Sequence, residues 1–246
     1  MENAITQQEE KSTIKYFKDC RNNWCKEDVL KLARHFHKWD KLTGQHHRVD
    51  HFILSKEAIK RLNKIKANQL IKNIKICLAL QDDNVEEVTF CPFLMINDKE
   101  DLVFEFIPIV KVGLTAEYVP ETFKKMIGDN WNEIDMHLID DLFHCNDVNT
   151  RVRVLHYSIG NEDETDQKIM RYINEILGNI TGITLYPGVD MNKFSKRDMI
   201  SFTPTLGFNA KGIKENHMGL KGVVETMSGP DETLVEYLTP CPPTCT

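Results

Sequence analysis

The sequence predicts an α+β fold, in which a basic helical N-terminal region packs with a mixed, mostly antiparallel sheet and two or three further helices. Three observations predict it. Apolar residues recur at helical spacing near the N-terminus, runs rich in β-branched and aromatic residues begin near residue 74, and the two patterns then alternate. Hydrophobic residues make up 41% and charged residues 28% of the 246, a composition typical of a globular protein with a sizeable core.

The N-terminal region is predicted to contain two helices. Helical periodicity covers residues 13–39, with an apolar face that ends at Phe36. Gly44 interrupts the pattern. Ser55 is a good N-cap residue, so a second helix is expected from there to about Lys72.

The rest of the chain alternates between predicted strands and helices. Strands are expected at Ile74–Leu80, Val88–Ile96, Leu102–Val112, Arg151–Ile159 and Ile180–Tyr186. Helices are expected at Pro120–Ile127, Trp131–Phe143 and Asp163–Leu177.

The connections refine this prediction. Asn97 to Glu100 supplies turn residues for a hairpin, and the strand–helix–strand unit that ends at Tyr186 is a candidate for parallel pairing. A last hairpin is expected between Leu220–Met227 and Thr233–Leu238, after a long loop over Thr203–Leu220. No internal repeat is evident.

The charges divide the chain near residue 75. Residues 1–75 hold 17 lysines and arginines against 9 acidic residues, a balance of +8, whereas residues 76–246 hold 14 against 28, a balance of −14. We therefore predict a basic helical region at 1–75 and an α+β body at 76–238. Residues 239–246 form a tail that contains only Thr, Pro and Cys.

Location follows from what the sequence lacks. The N-terminus has no apolar signal segment, and no apolar run is long enough to cross a bilayer, which predicts a cytoplasmic protein without membrane contact. The seven cysteines are odd in number and widely spread, so they do not indicate a disulfide framework.

A histidine pair in the basic region is the candidate metal site. His47 and His51 are four residues apart and are expected to share a face of a helix or a strand. Histidine is the commonest metal ligand, and if the segment is helical Asp50 is placed to orient one imidazole. Zinc is the candidate cofactor. A second zinc set consists of Cys20, Cys25 and His35, although the cysteine spacing is at the edge of the range that zinc sites use.

The second predicted helix is also the candidate binding surface. Lys60, Arg61 and Lys64 lie on one broad side of it, opposite much of the apolar stripe. Such a surface fits a protein partner or self-association, and it also fits the phosphate backbone of a nucleic acid.

The tail offers a third site, at Cys241 and Cys245. Threonine and cysteine in a short terminal segment are similar in composition to ribosomally made peptides that are dehydrated and cross-linked through thioethers. Exposed thiols also react when ionised, so a redox or metal-capturing role is an alternative.

No complete nucleophile motif or phosphate-binding loop is present, so the catalytic residues are unknown and enzyme activity stays open. The sequence best fits a binding or adaptor protein that acts through protein–protein contacts. One alternative is a metal-dependent enzyme that uses His47 and His51. Another is a precursor or carrier whose tail is modified at its cysteines.

Overall fold

The computed structural model describes residues 2–65, 69–82, 84, 86–110, 122–146, 151–160, 164–196, 199–211, 223–225, 232–235 and 239–241. Helices pack with a curled sheet, which confirms the α+β class. Every pairing between the described strands is antiparallel.

The described helices are α1 (Glu2–Lys26), α2 (Lys56–Ile65), α3 (Thr122–Glu133), α4 (Glu164–Ile176) and α5 (Met191–Lys196), with 3₁₀ helices at Val29–Phe36 and Met136–Phe143. The first strands are β1 (His37–Asp40), β2 (Gln45–Leu54), β3 (Ile74–Cys77), β4 (Phe93–Ile96) and β5 (Val103–Val110). The later strands are β6 (His144–Asn146), β7 (Arg151–Arg153), β8 (His156–Ile159), β9 (Ile180–Tyr186), β10 (Thr205–Ala210), β11 (Val223–Glu225), β12 (Glu232–Val235) and β13 (Thr239–Cys241).

The large sheet has the strand order β11-β12-β10-β9-β2-β5-β4-β3-β8-β13, with β1 paired to β2. Strands β12 and β13 lie near opposite ends of this order, yet only three residues separate them in sequence. The sheet must therefore curl back on itself. Strands β6 and β7 form a separate hairpin.

Strand β2 shows how the basic region joins the body. It pairs with β5 on one side and with β9 on the other, and the side chains of Trp24, Phe36 and Leu62 belong to the same core as those of the body. Residues 1–75 are therefore part helix and part strand, and they supply a central strand of the sheet.

Several predicted elements need correction. The helix over 13–39 is three elements, because α1 ends at Lys26 and β1 begins at His37. Helix α2 was expected to reach about Lys72, but its described part is Lys56–Ile65 and residues 69–72 are not helical. The expected parallel unit is absent from the described strands: β8 pairs with β3 and β13, and β9 pairs with β2 and β10.

The predicted C-terminal loop is partly strand. β10 occupies Thr205–Ala210 inside the expected loop over 203–220, whose residues 212–220 lie outside the described part. Both hairpin predictions are confirmed where the chain is described, since β4 pairs with β5 and β11 pairs with β12.

The structure also shows an internal repeat that the sequence did not make evident. The order α1, 3₁₀ helix, β1, β2, α2, β3, β4 recurs as α3, 3₁₀ helix, β6, β7 with β8, α4, β9, β10, and the second copy has an additional helix, α5, between β9 and β10. The residues shared by the two copies are Trp24 and Trp131, Phe36-His37 and Phe143-His144, Arg48-Val49 and Arg153-Val154, His51 and His156, and the F-x-P-x-L segments that begin at Phe90 and Phe202.

Equivalent residues make equivalent contacts across the two copies. Trp24 Nε1 donates to the Val154 carbonyl at 2.8 Å, and Trp131 Nε1 donates to the Val49 carbonyl at 3.0 Å. Because each tryptophan of one copy binds the matching valine of the other, the two copies form a single interlocked core.

The two equivalent arginines each bind the C-terminal end of the first helix of the opposite copy. Arg48 donates to the carbonyls of Trp131 and Ile134, and Arg153 donates to those of Trp24 and Glu27. Carbonyls in the last turn of a helix lack intrahelical donors, so each arginine caps a helix C-terminus.

Candidate functional site

The predicted binding surface on α2 is exposed. Ile59, Leu62 and Ile65 are buried and fix the helix against the core, which leaves its other side in solvent. Lys60, Arg61 and Lys64 are all exposed on that side. No carboxylate of the described residues is within ion-pair distance of them, and the Arg61 guanidinium lies 5.1 Å from the centre of the Phe104 ring.

The predicted metal residues lie on β2, but a β-bulge separates the two histidines. Val49 pairs with Val110 and His51 with Ile109, so Asp50 is an extra residue in the strand. A bulge shifts the alternation of side chains, and the shared face expected for His47 and His51 is lost.

Each histidine instead has a carboxylate of its own. His51 Nδ1 is 2.7 Å from Asp50 Oδ2, in a strand and not in the helix for which this contact was expected, whereas His47 Nε2 is 3.6 Å from Asp40 Oδ2. Across the described part of the chain, no three His, Cys, Asp or Glu side chains are placed to hold a metal ion. The zinc site stays a prediction.

The second zinc set is not brought together. Cys20, on α1, is 2% exposed and belongs to a buried cluster with Cys77 and Cys91. Cys25, on the same helix, is exposed. His35 is engaged by Thr89 and Glu27.

The start of the tail is a strand. β13 pairs with β8, which places Cys241 opposite His156 and Pro240 opposite Tyr157. In the other copy, Pro108 of β5 lies opposite Phe52 in the same way. Cys245 lies outside the described residues, and modification of the two cysteines stays a prediction.

A cleft that the sequence did not indicate lies where α1 meets the first 3₁₀ helix. Its volume is about 430 Å³, and most of its lining is polar. The lining residues are Asn23, Lys26, Glu27, Asp28, Lys31, His35, Leu80, Gln81 and Asp82.

Two of the lining residues, Glu27 and His35, belong to a chain of polar groups that also includes Arg34 and Thr89, and we call it the His35 chain. His35 is 2% exposed; its Nδ1 is 2.6 Å from Thr89 Oγ1 and its Nε2 is 3.3 Å from Glu27 Oε2. Arg34 Nη2 donates to the same Glu27 oxygen at 3.3 Å.

Glu27 is held ionised in this chain. Burial by itself would raise the pKa of its carboxyl, but the Asp28 amide, His35 and Arg34 together outweigh burial and lower that pKa. The cleft therefore presents a negative group beside a buried imidazole.

Comparison of the chain with protein-family models, with curated proteins and with solved structures finds no match. In the part of the chain that the structure describes, no helix is both long and apolar enough to cross a membrane.

Proposed function

We propose that this chain is a binding protein that acts through protein–protein contacts, and that the basic face of α2 is the contact surface. The observation that carries the proposal is the exposure of Lys60, Arg61 and Lys64 on one side of a helix, without ion-pair partners among the described residues.

The internal repeat supports a role for these charges beyond folding. The buried stripe of α2 has apolar equivalents on α4, at Met170, Ile173 and Ile176. Lys60 and Lys64, by contrast, correspond to Arg171 and Glu175. Since the same element folds with an acid at the second position, the fold requires the apolar stripe but not the cluster of cations.

A partner surface for α2 would be acidic, and residues 76–246 of a second copy of this chain have the charge to supply one. Residues 76–246 have a formal balance of −14, whereas α2 lies in the segment with a balance of +8. Opposite charges of this size favour association and make it sensitive to salt, because the Debye length falls to about 8 Å at physiological ionic strength.

The test is sedimentation velocity of the full chain at low ionic strength. The triple variant Lys60→Glu, Arg61→Glu, Lys64→Glu should be monomeric where the wild type associates. A control triple with the same change in net charge, Lys41→Glu, Lys168→Glu, Arg171→Glu, should still associate.

A wild type that stays monomeric, or a triple variant that associates as well as the control, contradicts the proposal. Binding of a labelled DNA duplex that is lost only in the α2 variant would replace it with the nucleic-acid interpretation.

A further inference from the structure

The internal repeat provides a control for the His35 chain, because the other copy shows what the fold itself requires at those positions. His35 corresponds to Leu142, Glu27 to Ile134 and Thr89 to Ser201. Two residues with titratable side chains in one copy are thus aliphatic in the other.

The backbone is the same at both places. The His35 carbonyl accepts from the amides of Thr89 and Phe90 at 3.1 and 3.0 Å, and the Leu142 carbonyl accepts from those of Ser201 and Phe202 at 3.2 and 3.1 Å. The imidazole of His35 takes no part in these bonds. The repeat therefore shows that this backbone arrangement forms around a leucine.

A buried imidazole and a partly buried carboxylate are less favourable at these positions than aliphatic side chains, since both give up water. Residues that are less favourable for folding than their alternatives are expected at functional sites. Glu27 and His35 line the open cleft of about 430 Å³, a volume in the range of small-molecule sites.

The lining restricts the chemistry of the ligand. Glu27, Asp28 and Asp82 supply carboxylates, while Lys26 and Lys31 supply ammonium groups at the exposed edge. Leu80 is the one aliphatic residue in the lining, and it is 1% exposed. An apolar ligand would find little to pack against, and a ligand of a single charge would face groups of its own sign.

We infer that the cleft binds a zwitterion of amino-acid size, with its ammonium group toward Glu27 and Asp82 and its carboxylate toward Lys26 and Lys31. The His35 chain holds the Glu27 carboxylate in place beneath the ligand. This inference is independent of the contact surface on α2.

The first test asks whether the His35 chain is structural. The variant Glu27→Ile, His35→Leu, Thr89→Ser carries the residues of the other copy and should fold with a Tm equal to or above that of the wild type. A Tm more than about 5 °C below wild type would overturn the inference, because the chain would then stabilise the fold.

The second test measures binding by isothermal titration with each of the twenty common L-amino acids. At least one should bind the wild type saturably, and the triple variant should bind it at least about tenfold more weakly. The N-acetylated and decarboxylated forms of the same compound should also bind at least about tenfold more weakly. Equal binding by the variant, equal binding by the decarboxylated amine, or no binding by any amino acid overturns the inference.

Discussion

The rings of Phe36 and Phe143 stack on each other with centroids 5.2 Å apart and planes 13° apart. The two residues are equivalents in the internal repeat, so the two copies meet at this pair. Equivalent contacts surround it: Phe36 lies 4.4 Å from Phe90, and Phe143 lies 4.5 Å from Phe202. Each copy therefore contributes equivalent aromatic residues to the centre of the core.

Truncation at either member of this pair should be costly to a similar degree. Both rings are fully buried, so Phe36→Ala and Phe143→Ala should each lower the free energy of unfolding by about 3–5 kcal/mol. The double variant should lose less than the sum, because the two rings contact each other. Urea unfolding checks this, and strict additivity would argue against the stacked pair.

The two capping arginines should also behave alike. Arg48→Met and Arg153→Met each remove two bonds to helix carbonyls and should each lower the unfolding free energy by about 2–3 kcal/mol. Arg61→Met, at an exposed site, serves as the control and should change stability by less than about 1 kcal/mol. Thermal unfolding of the three variants measures these losses. A small loss of stability at only one of the two capping arginines would contradict their equivalent roles.

Stability should fall in mild acid, in part through His37. Burial, with Arg48 and His46 adding to it, lowers the pKa of this imidazole to about 4, below its ordinary value of 6.5. The unfolded chain binds the proton more readily, so this stabilisation is present above about pH 6.5 and is lost as the pH falls toward 4. The full effect is about 3 kcal/mol for a residue that is 5% exposed.

His37→Gln should therefore flatten the dependence of the urea midpoint on pH between about 7 and 4.5. The pKa of His156 is also lowered to about 4, so some dependence should persist in the variant. Identical slopes for wild type and variant would show that His37 does not contribute.

The cap of α2 gives a smaller and more local effect. Ser55 Oγ accepts from the Ala58 amide at 3.1 Å, so Ser55→Ala should lower the unfolding free energy by about 1 kcal/mol. Ser12→Ala, at an exposed position inside α1, should leave stability unchanged or slightly raised. Equal effects of the two changes would mean that the hydroxyl of Ser55 does not cap the helix.

Local signals predicted the elements that depend on local chemistry. The Ser55 cap, the turn after Ile96 and strand β9 lie where residue types and spacing placed them. The order of strands follows from contacts between distant segments, such as β2 with β9, which no spacing along the chain encodes. The helix predicted over residues 13–39 failed for a related reason: pairing with β2 holds His37–Asp40 as a strand.

The candidate sites also differ in whether local sequence patterns could predict them. Exposure of the α2 cations follows from helical periodicity and could be predicted. The bulge at Asp50 depends on pairing with β5, and periodicity could not show it. The cleft at His35 carries no motif, and its signal is the contrast with Leu142, which is visible only once the two copies are aligned.

The interlocked repeat is tested most directly by hydrogen exchange of the three tryptophan indoles, followed by NMR. Trp24 and Trp131 each donate their indole N–H to the opposite copy, whereas Trp39 is half-buried on the β1–β2 hairpin. The indoles of Trp24 and Trp131 should exchange only on global unfolding, with equal free energies of opening, and that of Trp39 should exchange much faster. Rapid exchange at either Trp24 or Trp131 would contradict a core built by two copies that lock each other in place.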